Sequence, residues 1–405
     1  MDQTTNTPKL REQFRDELTQ NILPFWMTHA IDKSNGGLHG SVANDLQIDN
    51  KVPRSAILSA RVLWTFSAAY GQLRDPAYLT MAKRQFEDLK HTFWDAQHGG
   101  LYWLVDRHGA AVSDRKHHYA QAFGIYGLSA FYRATGDAES LDLAQQLFEL
   151  LERHAFDPNH GGYFEGSTRD WKPLEDARLS DRDLDSKKSM NTMLHLLEAY
   201  TSLLRIWDDA RLRMQLDAII RMFADHIIDR SSGHMLLFFD ERWQSLSKHV
   251  SFGHDIEASW LLQEAAEANG DAKQVGQAKQ LAVLLARAVL RDGLDHDGSL
   301  FSEATPQGML DEGKDWWPQA EAVVGFHNAF ELTGDPSFAQ AAFRCWKYVQ
   351  EQFVDRTHGD WFKRLDLDGT PDPLRHKSGP WECPYHHSRM CLEMLNRLDS
   401  SRERV

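Results

Sequence analysis

The sequence predicts an all-α fold, an (α/α)6 barrel of twelve helices with short β-hairpins in the long loops on one face. Three features dictate this. A turn pattern recurs six times along the 405 residues. Two helical segments lie between successive turns. The connections alternate, long before one helix of each pair and tight after it, so all long loops fall on one side. Repeated units bury their apolar faces against neighbours, and a ring leaves none of those faces open.

The turn pattern is an apolar residue, Asp, three residues, Gly, often a second Gly, then an apolar or aromatic residue. It reads IDKSNGGLHG from Ile31, WDAQHGGLYW from Trp94 and FDPNHGGYFE from Phe156. It reads IDRSSGHMLLFF from Ile228 and VDRTHGDWFK from Val354, with a shortened LDHDGSLFSE from Leu294. One copy alone is only a turn signal, but six at intervals of roughly 60–70 residues form a repeat. With the apolar alternation that follows, each reads as a short β-hairpin.

Apolar periodicity predicts helices over 8–28, 54–72, 76–93, 117–135, 138–155, 187–206, 209–228, 253–269, 272–291, 316–333, 336–354 and 380–398. The segments at 54, 117, 187, 253, 316 and 380 follow long loops. Five of them end in the tight connections LRDPAY, ATGDAES, IWDDARL, ANGDAKQ and LTGDPSF, where Gly, Pro and Asp supply cap chemistry. These segments are apolar around much of their circumference (FGIYGLSAFY, for example) and are expected to form the inner ring. Those at 76, 138, 209, 272 and 336 are amphipathic and read as the outer ring. No linker or low-complexity stretch interrupts the chain, so 1–405 is expected to be a single catalytic domain.

A formal net charge of −14 argues against nucleic acid or an anionic membrane as partner. Thirteen tryptophans offer faces for stacking on sugar rings as well as core volume. Cys345, Cys383 and Cys391 are too few for a disulfide framework and form no CxxC. The N-terminal MDQTTNTPKLREQF lacks a signal-peptide apolar core, and no apolar run approaches the ~18 residues that cross a bilayer. A soluble, cytoplasmic protein is expected, as a monomer or weak homodimer.

Polar chemistry enters at the starts of the inner helices, facing the long-loop mouth. Arg61 lies in the first. His117, His118 and Tyr119 open the second. Asn191, His195 and Glu198 lie in the third, after Asp181 and Asp183. His254 and Glu257 open the fourth, and Trp316, Trp317 and Glu321 the fifth. Trp381, His386 and Arg389 belong to the sixth, in GPWECPYHHSR, where Pro384 suits a helix's first turn and brings His386 to its N-terminus. His254 and Glu257 share a helix face, as do Asn191 and His195, so Glu257 is expected to orient an imidazole. A single helical histidine is ordinarily a satisfied core or surface residue, and paired tryptophans are ordinarily core. Arg61 among apolar neighbours needs a partner. Metal binding lacks an HExxH or a Cys ligand set. Acid–base chemistry by histidines and hydrolysis by a carboxylate pair, Glu257 with Glu321, both remain open.

The stretches SARVLWTFSAAY, KSMNTMLHLLEAY, FGHDIEASWLL, DWWPQAEA and WECPYHHSRMCLEM resemble the N-acylglucosamine 2-epimerase superfamily, most closely its cellobiose 2-epimerase branch. They lie on five of the six inner helices. The resemblance implies a barrel that inverts C2 of a reducing-end glucose in a β-1,4-linked disaccharide. In that chemistry one histidine removes the C2 proton from the opened sugar, the cis-enediol turns about C2–C3, and a second histidine reprotonates the opposite face. It implies His254 and His386 as that pair, His195 as the histidine assisting at O1, and Arg61 as the enediolate's arginine. Glu257 and Glu321 would support the histidines. Trp316 or Trp317, Trp381, Asn191 and Asp183 would bind sugar, with Tyr119 beside them. No cofactor and no metal is implied, and the partner is a disaccharide or hexose. Met193 and His387 depart from the branch, which often has His and Asn there. The alternative activity is that of a mannose 2-epimerase or mannose–fructose isomerase on free monosaccharides.

Overall fold

The computed structural model of the chain describes residues 3–179, 183–311 and 313–400. The twelve expected helical segments are present. Six inner helices run over Ala56–Leu73, His118–Thr135, Met190–Leu204, Phe252–Asn269, Trp316–Thr333 and Tyr385–Ser400. Each packs on the next, and the sixth packs on the first, so the ring closes. The outer helices are Gln3–Asp16, Pro76–Asp88, Ala138–His154, Ala210–Met222, Ala272–Asp292 and Pro336–Tyr348. The first packs on the last inner helix, and each later one on the inner helix just before it. The tight connections behave as their residues dictate: Asp137, Asp209, Asp271 and Asp335 cap the following helices through their carboxylates.

All six repeated turns are hairpins. Strand bridges join Ile31 to Leu38, Trp94 to Leu101, Phe156 to Tyr163, Leu294 to Leu300 and Val354 to Trp361, and a two-residue ladder joins Ile228–Asp229 to His234–Met235. The aspartate makes the turn: Asp95 accepts from the amides of Gln97 and His98 at 3.0 and 3.3 Å. Gly99 and Gly100 then take left-handed φ of 70° and 73°. In the sixth copy the second glycine is replaced by Asp360, at φ 57°.

A second pairing has no counterpart in the sequence reading. The two residues before each of the first five inner helices form a strand that pairs with the next repeat. Arg54–Ser55 pairs with Leu104–Val105, Lys116–His117 with Gly166–Ser167, and Lys188–Ser189 with Phe238–Phe239. Val250–Ser251 pairs with Glu303–Thr305, Lys314–Asp315 with Arg364–Leu365, and Ser378 bridges Val42 to close the circle. This corrects the expected boundaries. The inner helices start at Ala56, His118 and Met190 rather than 54, 117 and 187, because the preceding residues give their backbone to the neighbouring repeat. The last starts at Tyr385, not 380. Pro384 stands just before its first turn, its carbonyl accepting from the Ser388 amide at 3.0 Å.

These strands carry buried cations. Lys116 pairs with Asp95 at 3.0 Å, Lys188 with Asp157 at 2.7 Å, Lys314 with Asp295 at 2.9 Å and Lys377 with Asp355 at 2.9 Å. Each ties the aspartate of one repeated turn to the inner helix that follows it. In the first repeat the strand cation Arg54 instead binds Asp88, at the end of the outer helix Pro76–Asp88, and in the fourth repeat His234 bridges Asp255 and Asp292. Lys188 uses all three protons, donating also to the carbonyls of Gly161 and Glu241. Lys188→Met therefore leaves a buried carboxylate without its cation and should cost about 3–5 kcal/mol. The urea midpoint should fall, and adding Asp157→Asn should recover part of the loss. A midpoint equal to the parent's would refute the ion pair's structural role.

Candidate active site

The six-fold arrangement sets functional side chains in two layers at the mouth. The upper layer comes from the second or third residue of five inner helices: Tyr119, Asn191, His254, Trp317 and His386. The lower layer comes from the fifth or sixth residue of all six: Arg61, Phe123, His195, Glu257, Glu321 and Arg389. One helical turn separates the layers.

In the upper layer Trp317 rests against both expected catalytic histidines, with ring centroids 4.7 Å from His254 and 5.4 Å from His386. Nδ1 of His254 is hydrogen-bonded to the Ser251 hydroxyl at 2.7 Å. Nδ1 of His386 faces Glu321 at 2.7 Å, with Glu257 at 3.8 Å. Burial, with His195 and Arg61 nearby, drives the His254 imidazole down to about 3. Burial, Arg61 and Arg389 push His386 well below the usual imidazole range. Both are neutral bases at neutral pH. His254 and Asn191 line a cavity with Asp183, Leu237 and Phe238, and the Asn191 carbonyl oxygen has no hydrogen-bond partner among the described residues.

The lower layer is organised by Arg389. Its guanidinium bonds Glu198, Glu257 and Glu321, the last at 2.6 Å, and the Tyr385 hydroxyl. Trp260 donates to the other Glu321 oxygen at 3.1 Å. Burial alone would raise the Glu198 carboxyl, but Arg389, His195 and Tyr385 override it and bring it down to about 2. Burial and Glu321 push Glu257 up to about 7 despite Arg389, and burial likewise raises Glu321. His195 meets Glu198 at 3.1 Å through Nδ1. Arg61 donates to the Tyr119 hydroxyl at 2.7 Å and lies 4.1 Å over the Phe123 ring.

Most of the expected site residues come together here. Trp381 joins at the rim, 6.2 Å from Tyr119 and 5.8 Å from Trp103. Trp316 stands further off, 6.4 Å edge-on to His386, so Trp317 is the indole between the histidines. Glu257 does not orient His254 despite sharing its face; the helix turns it down onto Arg389. His117 and His118 are buried core residues, bonded to the carbonyls of Ala177 and Phe164. His387 is fully buried and points away, to Asp360 at 2.7 Å. Met193 is buried in the core. Asp181 lies outside the described residues. Sequence reasoning passed over Tyr385, Trp103, Ser251 and Gly253. A Cβ on Gly253 would come within 2.5 Å of Trp317, so this glycine admits the indole. The tell-tale was the glycine beside His254 in FGHD.

Among the described residues, Glu257, Glu321 and His386 form a cluster of metal-ligand types, with donor atoms within 4.8 Å of one another. Arg389 already occupies the facing carboxylate oxygens. The same closeness speaks against hydrolysis by this pair, since both carboxylates converge on one guanidinium instead of flanking a glycosidic bond. No described helix is long and apolar enough to cross a membrane.

Fold and site together define an (α/α)6-barrel enzyme with imidazoles, carboxyls and guanidinium groups gathered at one mouth. The chain belongs to the N-acylglucosamine 2-epimerase (GlcNAc 2-epimerase) family, whose model matches residues 36–389. It is thus an isomerase, a sugar 2-epimerase. It is 43% identical to a cellobiose 2-epimerase of Bacteroides fragilis, over 95% of this chain and 98% of that one. It is 36% identical to one of Dictyoglomus turgidum, over 96% and 99%. The solved cellobiose 2-epimerase of Bacillus thermoamylovorans B4167 superposes with a TM-score of 0.92 at 40% identity, covering 96% of this chain and all of that one. A solved D-mannose isomerase shares the fold at TM-score 0.83 and 20% identity, covering 95% of this chain and 97% of that one.

Glu198, held near 2 against an ordinary 4.5, contributes stability that is complete above 4.5 and is lost as the pH falls toward 2. Arg389→Met removes the cause and strands three buried carboxylates. The variant should unfold at lower urea than the parent at neutral pH, and the gap should narrow as acid protonates the carboxyls. A gap that does not vary with pH would sink this account.

Proposed function

We propose that this protein inverts C2 of the reducing-end glucose of β-1,4-linked disaccharides such as cellobiose, giving the mannose-ended epimer. The observation that carries the reading is the pair of neutral imidazoles, His254 and His386, set against the one indole of Trp317. After ring opening, one imidazole takes the C2 proton. The electron pair of that bond becomes the enediolate double bond, and the charge moves to O1. Arg61, held in place by Tyr119 and Phe123, is the cation at hand for that charge, and His195 the donor beside it. The intermediate turns about C2–C3, and the other imidazole protonates the opposite face. Inverting one carbon needs a base on each side, which two histidines from different helices supply.

The substrate's length is argued from the similarity to the cellobiose enzymes. The cavity with Asn191 and Asp183 and the rim tryptophans Trp381 and Trp103 give room and stacking surface for sugar rings. The reading takes 1–405 as one catalytic domain, supported by the closure of Ser378 on Val42. It takes the protein as a cytoplasmic monomer or weak homodimer, supported by three buried free cysteines and a ring that completes itself within one chain.

Incubation with cellobiose in D2O should yield glucosyl-mannose carrying deuterium at C2. Exchange on free mannose but not cellobiose would select the monosaccharide epimerase instead, and a ketose product the isomerase. No exchange on cellobiose, lactose or mannose would sink the class. His254→Asn and His386→Asn should each lower kcat on the order of 10²–10⁴-fold.

Because burial depresses both imidazoles, the base form persists far below the ordinary 6.5, toward about 3 for His254. The acid limb of kcat/KM should therefore lie well under pH 6.5. A limb centred at 6.5 would contradict the neutral pair.

A further inference from the structure

Behind His386 three buried carboxyl groups converge on one guanidinium. Glu198, Glu257 and Glu321 bring three negative charges, and Arg389 and Arg61 bring two positive ones. All five side chains are almost fully buried. The other titratable groups facing Glu257 are His195, whose Nδ1 is engaged by Glu198, the depressed imidazole of His386, and the phenols of Tyr119 and Tyr385. Two like charges buried at one site are expensive, and the ordinary remedy is for the pair to keep a proton. Glu198 is the least suited to hold it, since it already accepts from Arg389, Tyr385 and His195. Glu257 and Glu321 are the better pair. Their Oε1 atoms converge on the same Arg389 nitrogen and on the same imidazole nitrogen, and Oε2 of Glu257 is buried with no hydrogen-bond partner among the described residues.

We propose that Glu257 and Glu321 share one proton at neutral pH and that this pair relays it to Nδ1 of His386 during the reaction. The inference rests on the epimerase reading above. It meets a need that reading leaves: a neutral imidazole that gives up its Nε2 proton must take another at Nδ1 if it is not to become an anion. When His254 takes the C2 proton, His386 must give one to the other face of C2. Its Nε2–H supplies that proton, and the double-bond electron pair of the enediolate forms the new C–H bond while C1=O is restored. At the same time Nδ1, 2.7 Å from Glu321, takes the stored proton. His386 remains neutral throughout and only exchanges tautomers. One proton has moved from the carboxyl pair to His254, and the reverse reaction or exchange with water returns it. Glu257 and Glu321 are positioning residues in this scheme, acting through His386 without touching the sugar. The upward displacement of both carboxyls by burial is in keeping with it. His254 has no such store, because its Nδ1 meets only the Ser251 hydroxyl.

Glu257→Gln tests this, because the amide matches the protonated acid in shape and charge but has no proton to give. The variant should fold with a thermal midpoint no lower than the parent's. Its kcat on cellobiose should fall by at least about tenfold with KM little changed. The alkaline limb of the parent's kcat profile, where the shared proton is lost, should disappear. Glu257→Asp should restore part of both. A Glu257→Gln enzyme with the parent's kcat and alkaline limb would overturn the proposal. Infrared spectroscopy gives a second reading that needs no turnover. The parent at neutral pH should show the C=O band of a protonated, buried carboxyl, and Glu257→Gln should lose it. Absence of that band in the parent would overturn the proposal as well. Failure of the parent itself to exchange C2 hydrogen would strike the epimerase reading instead.

Discussion

The structure depends on one guanidinium. Arg389 is surrounded by three carboxylates from three different inner helices, Glu198, Glu257 and Glu321, none of them open to water. Such a cluster is poor value as stabilisation, because desolvating the charges costs about what their attraction returns. Its use is geometric. The guanidinium is planar and always charged, so its nitrogens fix where the carboxylates can be. Those carboxylates in turn fix the imidazoles, Glu198 through Nδ1 of His195 and Glu321 through Nδ1 of His386. Four of the six inner helices are thus locked in rotation about one point on the barrel axis.

The barrel itself was legible because its cause is periodic. Five D-x-x-x-G turns, a sixth shortened by one residue, and two amphipathicities, one broad and one narrow, survive in the sequence as spacing. The inter-repeat strands did not, because a two-residue strand leaves no alternation to read. The lysines on those strands were visible as letters, but nothing local marks Lys116 as the partner of Asp95. That pairing exists only once the hairpin has folded back on the helix. The repeated Lys–Asp pair is a fastening between loop and helix, and it holds the loops whose inner ends carry the mouth residues.

The site was legible to a different degree in its two layers. Residues at helix starts could be named because a histidine or tryptophan beside a helix boundary is conspicuous. The lower layer was read from spacing along one helix, and there the inference failed for Glu257. Sharing a face with His254 brings two side chains within reach, but a partner on another helix competes. Arg389 offers a charged donor, which outbids a neutral imidazole for a carboxylate. His387 was misleading in the same way. Its letter sits beside His386, but consecutive residues on a helix point about 100° apart. It therefore faces Asp360, the aspartate that takes a left-handed conformation where the first three turns have a second glycine.

The two histidines belong to separate helices that do not pack as neighbours in the ring, since the helix of Trp316–Thr333 stands between them. No bond and no shared backbone sets their separation. The indole of Trp317 does, because each imidazole is pressed against it. Its own position follows from Gly253, whose missing side chain leaves the space the indole fills, and from Pro318, which packs at the same spot. A tryptophan has only two side-chain torsions, so once wedged it makes a stiff spacer. The gap between the two bases is therefore a packing property of the fourth and fifth helices. A methyl group at position 253 would widen or skew that gap without touching either histidine.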